Sequence, residues 1–173
     1  MKVFFSVVFF CLFSVVTIAE EGAYFVPSSI GSSARSIRMA GIKGMSGYAD
    51  SVFENPASLY RIKSFSSSFF TATLIEDAMY QNMAVAFRGP VGVIGIGLFN
   101  LSVDDIYKTT IDADDDFTFI IDETFSYDNY LGKLAYQFSF TRMLHVGVSG
   151  TWFYSTFDTV EAFGANLDVG LIY

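Results

Sequence analysis

Three segments near the C-terminus alternate between apolar and small or polar residues with a period of two. The apolar positions of these runs are Tyr130, Leu134, Tyr136, Phe138 and Phe140; Val146, Val148, Trp152 and Tyr154; and Phe163, Leu167, Val169, Leu171 and Tyr173. The intervening positions are Lys133, Gln137 and Ser139; His145, Ser149 and Thr151; and Asn166 and Asp168, with alanines and glycines between them. Because successive side chains of a strand point to opposite faces, the pattern predicts an antiparallel sheet with one apolar face.

The length and aromatic content of these runs favour strands that cross a membrane. Each run is about 11 residues long, close to the roughly 9–11 residues of a tilted membrane strand. Aromatic residues lie toward the ends of the apolar parity, as they do in lipid-facing strands. A soluble sandwich would carry charge on its outward face, whereas the polar parity here suits a barrel interior. The expected class is therefore all-β, of the antiparallel transmembrane β-barrel type.

Six strands are predicted in all, at residues 64–75, 80–88, 91–101, 124–140, 144–157 and 162–173. The first alternates least clearly. Gly89-Pro90 is a two-residue turn signal between the second and third strands. We expect short turns at 89–90 and 141–143, a short link at 158–161 and one long external loop at 102–123, because outer-membrane barrels have short periplasmic turns and longer outside loops.

The N-terminus has the features of an export signal. A single cation, Lys2, precedes an uncharged apolar stretch that ends at Ala19, which predicts a signal peptide at 1–19. Cys11, the only cysteine, lies inside this stretch, so no disulfide is expected in the mature protein. We divide the remainder into a lead-in and hatch-like segment at 20–62 and membrane strands at 63–173.

Charge and hydropathy narrow the classes of function. The formal net charge of −8 argues against nucleic acid or an anionic surface as a partner. Beyond the signal, no stretch approaches the roughly 18 unbroken apolar residues of a membrane helix. A mean hydropathy of +0.43 without such a stretch favours the closed β-barrel.

The segment 34–62 differs in composition from the strands that follow it. Its glycines Gly41, Gly44 and Gly47 recur every three residues, a spacing that permits tight turns and close packing. Asn55 precedes Pro56, so it is placed to cap a short helix with proline as its first residue. An ordinary loop with one helical turn accounts for the same residues.

The chain contains several short motifs, which are, in order, Arg38-Met39-Ala40-Gly41, Ala49-Asp50, Asn55-Pro56-Ala57, Phe125 with Asp128, Leu134-Ala135-Tyr136 and Asp168-Val169-Gly170. In these residues the chain resembles the FadL-like outer-membrane transporter superfamily, in the branch of PorV-type proteins and spirochaetal relatives. The resemblance implies a fourteen-stranded barrel with a hatch in its lumen. The matching hatch residues are Gly41, Gly44, Gly47, Asp50, Asn55, Pro56 and Ala57.

The same resemblance implies a function and its partners. It implies a bacterial outer-membrane protein that takes up or binds hydrophobic small molecules such as long-chain fatty acids, and that meets membrane lipid and the barrel assembly machinery. Six strands are fewer than the roughly eight that close the smallest barrels. We therefore expect either a truncated or split form of such a barrel or strands supplied by another chain. Two other functions stay open: a PorV-type secretion-associated protein without transport activity, and a soluble secreted or surface β-domain acting as an adhesin or antigen.

Seven polar residues are candidates for the interior of the barrel: Lys133, Gln137, His145, Ser149, Thr151, Asn166 and Asp168. Lys133 is placed either to pair with Asp168 or to meet the carboxylate of a ligand, and simple filling of the interior accounts for the same set. His145 is the only histidine and Cys11 lies in the predicted signal, so no His/Cys metal set can be assembled. No serine and aspartate are placed with His145 by the sequence pattern, as a catalytic triad would need. We expect neither an enzyme nor a cofactor.

The acidic run beyond residue 111 has a partial calcium pattern. Asp112, Asp114, Asp116 and Glu123 occupy positions 1, 3, 5 and 12 of an EF-hand-like loop. Phe117 stands where the sharp turn needs glycine, and the flanks are predicted strands. A solvated acidic loop is the preferred interpretation, and calcium is the weaker one.

Overall fold

The computed structural model of the protein describes residues 31–40, 42, 44, 46–74, 77–111 and 119–173. The predicted signal peptide at 1–19, the hatch candidate Gly41 and the acidic residues Asp112, Asp114 and Asp116 lie outside these ranges. Within them, short helices precede one antiparallel sheet. No helix of the described part is long and apolar enough to span a membrane.

Three short helices occupy the described part of the segment before the sheet. They are α1 (Ala34–Arg38), α2 (Ser51–Glu54) and a 3₁₀ helix (Pro56–Arg61). The hydroxyl of Ser33 caps α1 by accepting a hydrogen bond from the Ser36 N–H at 3.2 Å. Helix α1 has no counterpart in the sequence-based prediction.

Six strands form a single sheet in chain order, and each pairs antiparallel with the next. They are β1 (Phe65–Thr73), β2 (Met79–Arg88), β3 (Val93–Ile111), β4 (Phe119–Ser139), β5 (His145–Phe157) and β6 (Val160–Ile172). The expected all-β class and all six strands are confirmed. The sheet is not closed, because β1 and β6 are its edges among the described strands.

The long loop predicted at 102–123 is wrong in its described part. Strand β3 continues to Ile111 and β4 begins at Phe119, and the two pair with each other along this length. We call residues 103–111 and 119–127 the hairpin extension. The acidic residues suggested a loop, but β-branched and aromatic residues such as Ile106, Tyr107 and Ile120 favour strand. Register shifts after Val103 and Lys108 absorb the residues that interrupt the alternation.

Several connections differ in length from the prediction. The turn expected at 141–143 covers the five residues 140–144 between β4 and β5. The turn expected at Gly89-Pro90 spans the four residues between β2 and β3, and the Gly89 N–H donates to the Gly92 carbonyl at 2.8 Å. The link expected at 158–161 is shorter, because Phe157 already pairs with Val160. Asp158 adopts a φ of +52°, a left-handed conformation that aspartate tolerates in tight turns.

The hydrophobic core lies between the helical segment and one face of the sheet. Val52, Leu59 and Ala49 of the segment are fully buried. They belong to one cluster with small residues of the strands, such as Ala84 and Ala135, and with large ones, such as Tyr80, Phe99 and Leu131. The core therefore occupies the parity that the sequence predicts as polar, where the segment covers it.

Candidate functional site

Cross-strand pairing sorts the side chains of the sheet into two faces. Tyr136 pairs with Ile94 and with Val148. Val148 pairs in turn with Val169. One face, which we call the apolar face, therefore carries exposed residues on every strand, including Phe69, Met83, Phe87, Ile96, Leu98, Leu134, Trp152, Leu167 and Leu171. The opposite side, the inner face, carries Lys133, Gln137, His145, Ser149, Thr151, Asn166 and Asp168. The predicted division of residues between faces is confirmed.

The apolar face changes character along the strands. Toward the hairpin extension, its last mainly apolar row is Phe69, Met83, Leu98, Gly132 and Trp152. The next row is Thr71, Gln81, Asn100, Tyr130, Tyr154 and Phe163, and the row after it is Thr73, Met79, Ser102, Asp128, Thr156 and Glu161. We call these the aromatic row and the acidic row. From Phe138 to Tyr130 the apolar band and the aromatic row together cover about 27 Å of strand.

The helical segment contacts the inner face where that face carries glycine. A Cβ added to Gly95 would lie 2.5 Å from Val52, and one added to Gly97 would lie 2.6 Å from the Phe53 ring. On β5, a Cβ at Gly147 would lie 2.3 Å from the Ala57 nitrogen. These separations are shorter than any real Cβ contact, so only glycine lets the segment pack this closely.

Asn55 connects the 3₁₀ helix to the last strand. Its side-chain oxygen accepts a hydrogen bond from the Ala57 N–H at 3.0 Å, and Pro56 occupies the first turn. The same oxygen would lie 2.0 Å from a Cβ at Gly170. The Asn55-Pro56-Ala57 motif therefore lies directly against β5 and β6, at two glycines.

Gly44 is the centre of a second set of contacts within the segment. Its N–H donates to Glu54 Oε2 at 3.2 Å, and its carbonyl accepts from the Ser58 hydroxyl at 3.1 Å and from Arg61 Nη1 at 3.3 Å. Its φ of +84° is a conformation that glycine adopts readily.

The other two hatch candidates of this part are Asp50 and Gly47. Asp50, which is buried, accepts a hydrogen bond from the Ser46 hydroxyl. The side chain of Arg61 lies beside Gly47.

Four of the interior candidates form one polar cluster. Lys133 Nζ lies 2.7 Å from Asp168 Oδ2, which also accepts from the Ser149 hydroxyl at 3.4 Å. The Asn166 amide donates to Asp168 Oδ1 at 3.0 Å. The lysine side chain is 10% exposed and that of the aspartate 37% exposed. The sequence leaves two partners open for Lys133, namely Asp168 and the carboxylate of a ligand. In the structure its ammonium is paired with Asp168. Thr151 pairs across the strands with both Lys133 and Asn166.

The other two interior candidates lie near the opposite end of the inner face. The His145 ring stacks on Tyr60 at 3.7 Å between centroids, and its Nδ1 lies 2.8 Å from the Ser139 hydroxyl. The Gln137 amide donates to the same hydroxyl at 3.1 Å, while its oxygen is buried without a hydrogen-bond partner. The seven candidates thus form two groups rather than one site.

Residues outside the predicted set also hold the segment in place. Arg88 donates to the backbone carbonyls of Tyr60 and Ile62. Tyr80 and Asn82 donate to the carbonyls of Gly31 and Ser32. These partners are between 26 and 50 residues apart in sequence, so no local pattern identifies them. The inward parity of Tyr80 and Asn82 is the one sequence signal that placed them on this face.

The structure describes only the last residue of the calcium candidate, Glu123. Glu123 lies on β4, opposite Lys108 of β3. Among the residues that the structure describes, no three histidine, cysteine, aspartate or glutamate side chains come together as metal ligands.

No family model matches the chain, and neither a curated protein nor a solved structure matches it significantly.

Proposed function

We propose that this chain forms part of an outer-membrane β-barrel with segment 31–62 inside its lumen, and that the barrel binds or passes hydrophobic small molecules such as long-chain fatty acids. The proposed membrane placement rests on which face of the sheet is exposed. The polar parity of the sheet is covered in part by the helical segment, whereas its apolar parity is exposed on all six strands. A soluble domain would bury the apolar face, because large exposed apolar patches are rare on soluble monomers.

The dimensions of the apolar band support the same placement. At the usual strand tilt, about 27 Å of strand covers roughly 20 Å of membrane thickness, near the roughly 25 Å apolar band of known barrels. The aromatic row then lies at one membrane surface, and the acidic row lies in the water beyond it. Hydrocarbon on both sheet edges would leave backbone groups unpaired at several kcal/mol each, so β1 and β6 are expected to pair with further strands.

The proposed substrate class is supported by the resemblance to FadL-like transporters and by the position of the helical segment against the inner face. The bacterium that makes the chain provides the test, because its cells contain the strands that complete the barrel. Deletion of the gene is expected to lower accumulation of labelled oleate, but not of a labelled disaccharide, and the full chain supplied from a plasmid should restore it. Equal oleate accumulation with and without the gene would reject passage, and recovery of the chain in buffer without detergent would reject the membrane placement.

The hairpin extension favours a second candidate, a secretion-associated role without transport. It projects beyond the apolar band and exposes Tyr107, Ile120 and Ile121. Such a ribbon provides a surface for another protein. Co-purification of the detergent-extracted chain with secretion components, lost when residues 104–126 are replaced by a short turn, would support this role, and labelled oleate uptake would then stay at background.

A further inference from the structure

A shallow groove of about 370 Å³ crosses the apolar face at the boundary between its apolar band and the aromatic row. Met83, Leu98 and Trp152 line its apolar side, and Gln81, Asn100 and Tyr130 line its polar side. Gly132 forms part of its floor, where a Cβ would lie 2.2 Å from the Trp152 ring. The volume is within the range of small-molecule sites, roughly 300–1,000 Å³.

The polar side of the groove offers more hydrogen-bonding capacity than the protein uses. The side-chain oxygen of Asn100 is buried and has no hydrogen-bond partner. An unsatisfied polar atom of this kind in an otherwise apolar setting costs about 1–3 kcal/mol. Because an amide oxygen only accepts, a ligand removes that cost by donating a hydrogen bond from an N–H or O–H group to the Asn100 oxygen.

The charge next to the groove selects among polar headgroups. Asp128 and Glu161 lie on the same face in the acidic row, one step beyond Tyr130 and Tyr154. Neither the aromatic row nor the acidic row contains a basic residue. A headgroup bearing an ammonium is therefore attracted here, and one with net negative charge is repelled.

We propose that this groove binds one phospholipid with a primary ammonium headgroup. Its acyl chain would lie along Met83 and Leu98. Its phosphate oxygens would accept from the Tyr130 hydroxyl and the Asn100 amide nitrogen, and its ammonium would donate to the Asn100 oxygen and face Asp128 and Glu161. The inference rests on the proposed membrane placement and goes beyond it, since it assigns a lipid to a site outside the lumen.

Native mass spectrometry of the full chain, extracted from a bacterial outer membrane in mild detergent, tests the proposal. Phosphatidylethanolamine, phosphatidylcholine and phosphatidylglycerol are added separately, and retained lipid is counted. We expect retention of one ethanolamine lipid in preference to the others. Combined Asp128→Asn and Glu161→Gln substitutions should lower that retention about fivefold, the effect of a partly exposed ion pair. Retention of choline lipid should fall less, because its quaternary ammonium donates no hydrogen bond to the carboxylates.

Variants of the groove itself complete the test. Asn100→Leu should lower retention of all three lipids. Gly132→Ala should also lower retention by displacing Trp152, whereas Gly150→Ala is the matched control, because its Cβ on the same face lies 3.8 Å from its nearest neighbour. Equal retention of the three lipids, or wild-type retention in Asn100→Leu, would overturn the lipid site while leaving the membrane placement intact. Recovery of the chain without detergent would overturn both.

Discussion

Single glycines determine how closely the helical segment approaches the sheet. Gly147→Ala would place a methyl group against the backbone of Ala57, which cannot move as a flexible side chain can. We expect a loss of about 1–3 kcal/mol in the free energy of unfolding, as for other overpacked sites. Denaturant unfolding in detergent, followed by fluorescence of the single tryptophan, measures it. Gly150→Ala is the control on the same strand, and equal stabilities of the two variants would contradict the observed packing.

Asn55 acts at the residue scale through one acceptor atom. Asn55→Ala removes the cap of the 3₁₀ helix and should lower the free energy of unfolding by about 1 kcal/mol. Asn55→Asp retains an oxygen in the capping position and should restore most of that loss. Limited proteolysis within 44–62 should be faster in the alanine variant than in the aspartate variant. Equal cleavage rates would show that the cap does not hold the segment.

The pair of Lys133 and Asp168 predicts unequal effects of its two partners. Asp168→Asn leaves the nearly buried ammonium without its counterion, whereas Lys133→Met leaves a more exposed carboxylate with Asn166 and Ser149. We expect a cost of about 1–3 kcal/mol for Asp168→Asn and a smaller one for Lys133→Met. The double variant should be more stable than Asp168→Asn alone. Strictly additive losses in denaturant unfolding would exclude coupling between the two side chains.

The faces of individual residues were predictable, but most of their partners were not. A period of two is enough to place Lys133 and His145 on one side and Leu134 on the other. The stack of His145 on Tyr60 and the hydrogen bonds from Arg88 join positions far apart in sequence. Such contacts depend on how the segment lies across the sheet, and alternation within a strand carries no information about that.

At the scale of elements, the hairpin extension is held mainly by its own two strands. Beyond its backbone pairing, Phe125 contacts the ring of Phe157, and Lys108 pairs with Asp158 at 3.1 Å. Two-stranded ribbons are marginally stable in water. We expect faster amide hydrogen exchange in 103–111 and 119–127 than in 93–102 and 128–137 of the same strands. Uniform protection along β3 and β4 would mean that the extension is covered by something further.

The hairpin extension and helix α1 are the elements that the sequence pattern did not predict. Strands with an apolar face were found because alternation is strong wherever one face meets apolar surroundings. In the extension, bulges break the parity and both faces are polar in part, so the pattern resembled a loop. Helix α1 was missed because its five residues, Ala-Arg-Ser-Ile-Arg, are too few to show a helical period.

At the scale of the whole molecule, the exposed face of the sheet is unlike the surface of a soluble domain. The space under the helical segment holds buried polar residues, Lys133, Gln137 and Asn82, beside apolar ones such as Tyr80 and Phe99, while many large aliphatic and aromatic side chains are exposed on the apolar face. Burying polar groups while exposing apolar ones is favourable only if the surroundings of the apolar face are themselves apolar. Whether water or lipid surrounds that face can therefore be measured.

Arginine substitutions on the two faces measure it directly. Leu134, on the apolar face, is 51% exposed, and Asn166, on the inner face, is exposed as well. In water, arginine at either exposed site should change the free energy of unfolding by no more than about 0.5 kcal/mol. In a bilayer, Leu134→Arg should cost about 2–4 kcal/mol, because the guanidinium is moved into hydrocarbon, whereas Asn166→Arg beside Asp168 should cost far less. Unfolding of both variants in lipid vesicles, with Trp152 as the fluorescent reporter, gives the difference, and two equal small changes would mean that water rather than lipid surrounds the apolar face.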